Sequence, residues 1–276
     1  MTSARNSRPD SPSAAGVKSA ERALDLMEYL ATRRTGATFP QISQDLSLPK
    51  SSLHGLLTTL VNRGWLYLDE ESRRYRIGMR VWETAQSFGY LDNLAHHADR
   101  HLTAARDELD ETVQLAVLDG IDNVYIAKVE ADHPLRLVSR VGMRLPAYAT
   151  GLGKVLLAGL EPADLHARLR GVTMRRFTEH TITSLELLEE RIGEIRERGF
   201  GEDDGEYTPG VFCVAVPVRD ASGRIVAAMS CSVPRARLTG GREHRDRLVN
   251  TLSRHAEGLS RELGWTGADR YAGIPS

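Results

Sequence analysis

Cysteine is scarce: of 276 residues only Cys213 and Cys231 carry a thiol. Two thiols build no disulfide framework, which excludes the disulfide-stapled secreted class and points to a reducing cytoplasm. Also missing is any uninterrupted run of about 20 apolar residues, the length a membrane-spanning helix needs. The opening residues show no apolar signal segment, so the expected location is cytoplasmic. Neither sign of charge dominates. Lys plus Arg number 36 against 37 Asp plus Glu, so a surface for nucleic acid has to be a local patch.

What is present describes an ordinary globular chain of about two domains, with 41% hydrophobic and 26% charged residues. Residues 1–16, MTSARNSRPDSPSAAG, are rich in Ser, Pro and Arg without an apolar period and read as a disordered leader. From Ser19, a candidate cap, Ala20, Ala23, Leu24, Met27 and Leu30 recur at helical spacing. A second, short helix is expected after Thr38, with Pro40 in its first turn and Ile42 and Leu46 inward. After Ser47-Leu48-Pro49 a third helix spans 50–62, with Leu53, Leu56, Leu57, Leu60 and Val61 as its apolar stripe and Gly64 as a left-handed end. Segments 65–69 and 74–77 then make a hairpin with a polar tip.

Helix, turn, helix and hairpin in that order form a winged helix-turn-helix, whose third helix fits the DNA major groove. The outward groups suit that task. Thr38, Lys50, Ser51, Ser52, His54 and Thr58 are cationic or hydrogen-bonding, and Arg73, Arg74 and Arg76 in the wing can neutralise phosphates. Residues 1–90 carry a surplus of about three positive charges. The plain alternative is a packing module with solvated polar faces. The winged helix-turn-helix is expected over 17–78, and segment 79–90, with Trp82, Ala85 and Phe88 on one side, reads as a linker helix that either supports self-association or packs on the wing.

The second domain, 91–265, opens with Leu91, Leu94, Ala98, Leu102, Ala105 and Leu109 at helical spacing. Strands are expected at 112–118, 123–130, 135–139, 211–218 and 225–232. Helices are expected after Thr150, at 162–169, at 185–198 behind a Thr183-x-x-Glu186 capping box, and at 242–263. Residues 266–276 form a tail. Hairpins mixed with covering helices give an α+β class.

ATGLGKVLLA, residues 149–158, carries a Gly-Lys step at the start of a helix. It fails as a phosphate-binding Walker loop, because Tyr148 stands where a glycine is required and Val155, not Ser or Thr, follows Lys154. An exposed helix N-terminus nevertheless suits a carboxylate. Thr150 is the expected cap, Gly151 and Leu152 the expected donors, and Lys154, one turn in, is expected to face solvent or the domain interface.

Three stretches resemble the IclR family of bacterial transcription regulators: LSLPKSSLHGLLTTLVNRGWL with RRYRIGMRV, RVGMRLPAYATGLGKVLLA, and GFGEDDGEYTPGVFCVAVPVRD. The last carries Gly199, Asp203, Glu206, Cys213, Val214, Ala215, Val218 and Asp220 at the family's spacing. The resemblance implies an N-terminal winged helix-turn-helix, a linker helix and a C-terminal GAF-like antiparallel-sheet sensor. Such a protein is a regulator and not an enzyme, works without a cofactor or metal, and assembles as a dimer or dimer of dimers on double-stranded operator DNA. It also implies that a small organic effector is bound by Gly151, Leu152, Asp203, Cys213, Ser230 and Ser232. The last two alternate in MSCSV and so share a strand face.

Three positions depart from the family pattern. Gly55 stands where arginine is common, Ser47 where a turn glycine is usual, and Arg219 where an aromatic or His is favoured. Other readings stay open at this level. Cys213 also reads as a core thiol, whereas a nucleophile there would need a histidine base, and none of the nine histidines lies near it in sequence. Asp203 serves equally as a turn cap, the serines as backbone partners, and the chain as a ligand sensor without DNA binding. His97 and His101 are one helical turn apart but lack a third metal ligand in sequence and read as a solvated helix face.

Overall fold

The computed structural model describes residues 17–133 and 139–267. The expected leader, most of the strand expected at 135–139 and most of the tail lie outside them. The chain divides into two compact units between Asp92 and Asn93.

In the first unit, α1 (Lys18–Ala31), α2 (Phe39–Asp45) and α3 (Lys50–Asn62) pack over a sheet of β1 (Ala37–Thr38), β2 (Leu66–Asp69) and β3 (Arg74–Ile77). The order is β1-β3-β2, antiparallel, with Leu66 opposite Ile77 and Asp69 opposite Arg74. Leu26, Leu30, Ala37, Ile42, Leu53, Leu57 and Leu66 form the buried core. Two expectations for α1 fail. Val17, not Ser19, precedes the helix, because the Val17 carbonyl already accepts the Ala20 and Glu21 amides. Leu24 is exposed and Leu26 is buried, since the inward stripe runs Ala23, Leu26, Met27, Leu30. Thr38 does begin α2: its N–H donates to Gln41 Oε1 at 2.9 Å. Ser47 adopts the left-handed conformation at φ 52°, so the α2–α3 turn closes without the usual glycine. Helix α4 (Met79–Ala85) follows, and its Trp82 is 62% exposed, so the wing does not cover it.

The second unit is a three-layer sandwich. Helix α5 (Gly89–Leu109) leads into β4 (Thr112–Asp119) and β5 (Asp122–Val129). Then come β6 (Arg144–Pro146), α6 (Gly151–Ala158), α7 (Pro162–Leu169) and α8 (Leu185–Arg198). Strands β7 (Gly201–Asp204), β8 (Val211–Arg219) and β9 (Ile225–Pro234), then α9 (Gly241–Glu262), complete it. The six strands run antiparallel in the order β6-β5-β4-β9-β8-β7. Strand alternation separates two cores. Val113, Leu115, Val214, Val216, Met229 and Cys231 meet α5 and α9. Ala116, Tyr125, Ala215 and Ala228 meet α6, α7 and α8 on the other face. Helix α8 is capped by Ser184, whose hydroxyl accepts from Leu187 N, one residue after the expected Thr183.

The start of α6 depends on one close approach. A Cβ on Gly153 would lie 2.2 Å from the Ala147 backbone, a contact no relaxation of a side chain relieves. Gly153→Ala is therefore expected to cost about 2–4 kcal/mol, read as a lowered urea midpoint at unchanged slope. A change below about 0.5 kcal/mol would show that the turn relaxes freely.

Candidate functional site

Thr150 opens α6 in extended conformation, and its hydroxyl accepts from Gly153 N at 3.0 Å while donating to Asn123 Oδ1 at 2.7 Å. Lys154 N bonds the Thr150 carbonyl. Among the described residues this leaves the Gly151 and Leu152 amides without a protein acceptor at the positive end of the helix. Both residues line a cavity of about 230 Å³ on the α6 face of the sheet. It also brings together Asp203, Cys213, Ser230 and Ser232, so all six residues expected from sequence share one space. Pairing of β8 with β9 puts Cys213 opposite Ser232, and Cys213 Sγ lies 3.2 Å from Ser232 Oγ.

Other lining residues were not legible beforehand. Gln114 enters from β4, opposite Ser230, and its amide donates to Ser139 Oγ at 2.7 Å. Tyr125, Met143, Leu145 and Tyr207 give the cavity an apolar wall. Alternation along β4 would have put Gln114 on the Ser230 face once the strand pairing was known. The contributions of Met143 and Leu145 depend on β6, a strand too short to show a period.

Lys154 overturns expectation. It is fully buried, neither toward solvent nor at an interface, and its ammonium is hydrogen-bonded to Glu206 Oε1. The second Glu206 oxygen has no partner. The Glu206 carbonyl accepts from Thr181 Oγ1 at 2.6 Å, and Glu206 N donates to Asp203 Oδ1 at 2.7 Å. Asp203 thus closes the turn after β7 while lining the cavity. Burial pushes its carboxyl up to about 7, against the lowering influence of Lys154 and of that amide bond. A neutral Asp203 can donate a hydrogen bond into the cavity.

Cys213 lacks the features of an activated nucleophile. Burial, reinforced by Asp203, pushes its thiol well above the usual range, and no histidine lines the cavity among the described residues. Cys231 lies on the opposite sheet face, and both thiols are free. Arg219 ends β8, away from the cavity, with its guanidinium on the Gly223 carbonyl. His101 is not solvated: it packs against Gly258 and meets Glu262 at 2.6 Å, with His97 at 3.5 Å from the same carboxylate. Among the described residues no group of three His, Cys, Asp or Glu could hold a metal. A wider open groove, about 660 Å³, lies by Arg235, Arg242 and Arg245, but two of these cations are matched by Asp204 and Asp246.

In the first unit Lys50, Ser51, Ser52, His54 and Thr58 are all exposed on α3, opposite its buried leucines. In the wing Arg73 pairs with Glu70, and Arg76 lies 3.5 Å from Asp69. Arg74 is half-buried and donates to the Gly36 carbonyl at 3.1 Å, holding β3 to the chain before β1. The Thr38 hydroxyl donates to Gln41 Oε1.

Residues 19–70 match the model of the IclR helix-turn-helix domain, and residues 89–261 match that of the bacterial transcriptional regulator IclR C-terminal domain. The chain belongs to the IclR family. Its IclR architecture extends over nearly the full length of curated relatives. The regulator XynR of Escherichia coli is 36% identical, with 90% of this chain and 98% of XynR covered. The transcriptional repressor IclR of Escherichia coli is 31% identical, with 84% and 85% covered. An IclR homologue of Microbacterium hydrocarbonoxydans, solved in complex with 4-hydroxybenzoate, superposes with a TM-score of 0.77 at 25% identity, covering 89% of this chain and 98% of that one. As an IclR-family member the chain is a DNA-binding transcription regulator with a C-terminal ligand-binding domain. No helix among the described residues is long and apolar enough to cross a membrane.

Two outcomes follow from the buried carboxylates. Asp203 keeps its proton in the folded chain up to about pH 7 but loses it near 3.8 once unfolded, so the fold holds the extra proton across that window. Its contribution to stability therefore falls as pH rises from about 4 to 7 and is level above. Asp203→Asn, which keeps the oxygen on Glu206 N, is expected to remove that slope from a pH series of unfolding free energies; an unchanged slope would place the titration elsewhere. For the buried pair, Lys154→Met is expected to cost about 3–5 kcal/mol by stranding Glu206. Adding Glu206→Leu should recover most of that loss, and additive losses in the double mutant would deny the coupling.

Proposed function

We propose that the cavity takes a small organic carboxylate and that its occupation changes the affinity of the first unit for operator DNA, with repression as the state without effector. The convergence of six residues on one cavity, two of them presenting free helix-start amides, carries this reading. The amides and a protonated Asp203 suit the carboxylate, the Ser230, Ser232 and Gln114 groups suit a hydroxyl or carbonyl, and the Tyr and Met wall suits a carbon frame. At about 230 Å³ the space lies below the roughly 300–1,000 Å³ of drug-sized pockets, which favours a metabolite. The homologue solved with 4-hydroxybenzoate supports an acid of this size, and the repressor IclR supports repression.

On the DNA side Lys50, Ser51, Ser52, His54 and Thr58 contact the duplex from α3, with Thr38 and the wing residues Arg73, Arg74 and Arg76 beside them. The working form is a homodimer or a dimer of dimers. Its paired α3 helices read a near-palindromic site, and the exposed Trp82 and Met79 of α4 support self-association. Effector binds one arrangement of the second unit better and thereby shifts the population of DNA-competent spacings.

Lys50→Ala is expected to weaken binding to every duplex and to reduce the salt slope by about one. Ser230→Ala should leave DNA affinity intact while blunting release by the effector, found by titrating small carboxylates beginning with 4-hydroxybenzoate. An unchanged effector affinity in Ser230→Ala would remove that residue from the site.

A further inference from the structure

The recognition helix contains a glycine for which the protein itself has no use. Gly55 lies mid-helix in α3, with ordinary right-handed backbone and nothing within 4 Å of where a Cβ would sit. Neither a turn, a left-handed φ nor a close neighbour requires it. A glycine there loosens the helix, by about 1 kcal/mol relative to alanine. Glycines whose job is not internal often let a backbone approach a ligand closely.

The surroundings say what approaches. On a helix surface the neighbours of position 55 are positions 51, 52, 58 and 59. They are Ser51, Ser52, Thr58 and Thr59, all exposed and all short. The Thr59 hydroxyl is already turned onto the Gly55 carbonyl at 2.8 Å. Lys50 heads the helix and Arg63 follows its last residue, about 20 Å apart, while His54 borders the strip one turn before Thr58; all three are exposed. A face of short hydroxyls cannot reach base edges from a distance, as arginine does. It reads them only if the helix axis lies close to the groove floor, with the flanking cations meeting phosphates.

We propose that Gly55 is a specificity-determining residue of the DNA interface: its bare Cα lies against base edges in the major groove, and any side chain there pushes α3 outward. The inference rests on the DNA-binding reading above. It makes Gly55 an active part of recognition by this chain and not simply a lost cation.

The test uses the full-length chain. A randomised duplex pool is enriched on the wild type, and the selected duplex is titrated with wild type, Gly55→Ala and Gly193→Ala. Gly193, in α8, also has open space at its Cβ position and controls for a generic helix effect. Gly55→Ala is expected to slow amide exchange across α3 by about fivefold, yet to bind the selected duplex at least tenfold more weakly. Gly193→Ala should bind it as wild type does. Equal or tighter binding by Gly55→Ala overturns the inference while leaving the DNA-binding reading intact, and an equal loss in both variants also overturns it. Failure of the wild type to enrich any duplex would defeat the DNA-binding reading itself.

Discussion

The ion pair between Lys154 and Glu206, removed from solvent, is the constraint on which the second unit's cavity rests. Burying two charges is unfavourable unless both are held in place, and here each is held by an element that also forms a cavity wall. Lys154 follows Gly151 and Leu152 by less than one turn of α6, so wherever the ammonium is anchored the two free amides are positioned. Glu206 follows Asp203 in the turn after β7, and its backbone is secured by Asp203 through its N–H and by Thr178 and Thr181 through its carbonyl. One electrostatic contact thus fixes the separation between the positive helix end and the single carboxyl that faces it. The orphaned Glu206 oxygen shows the arrangement is not optimised for stability alone.

The parts legible in the sequence are those with local causes. The α3 stripe, the Thr150 cap and the long strands all follow from spacing and capping chemistry within a few residues. What escaped has non-local causes. Strands β1, β6 and β7 have two to four residues and exist only because a partner strand holds them. Lys154 read as a surface residue because a cation one turn into a helix normally is; its carboxylate partner lies 52 positions later. Gln114 was not singled out in the sequence, because only the pairing of β4 with β9 puts it beside Ser230 in one space. Gly151 and Leu152 were legible from the exposed helix start and the other four effector residues from resemblance to the IclR motifs, whereas their meeting in one cavity is a consequence of sheet order.

The first unit shows a similar economy in its charges. Its surplus of positive charge is small, and the wing spends much of it internally: Arg73 faces Glu70, Arg76 faces Asp69, and Arg74 braces the sheet. Pairs this exposed exchange readily for phosphate partners, since each is worth little in water. Lys50 at the head of α3 has no ion-pair partner among the described residues, which makes the helix end the more direct electrostatic anchor.

The sheet order of the second unit has a consequence for life at high concentration. Its two border strands, β6 and β7, expose rows of only three and four residues, flanked by Arg144, Pro146, Glu202 and Asp204. Rows so brief, with charge and proline on them, offer a poor template for adding a foreign strand. The long, apolar β8 and β9, the segments most able to seed fibrils if laid bare, pair with each other along their length, and β7 covers β8 over Phe212–Ala215 while β4 covers β9 over Ala228–Ser232. Strand exchange at the borders of this sheet is therefore disfavoured, because pairing there would have to begin on a short row that carries charge or proline.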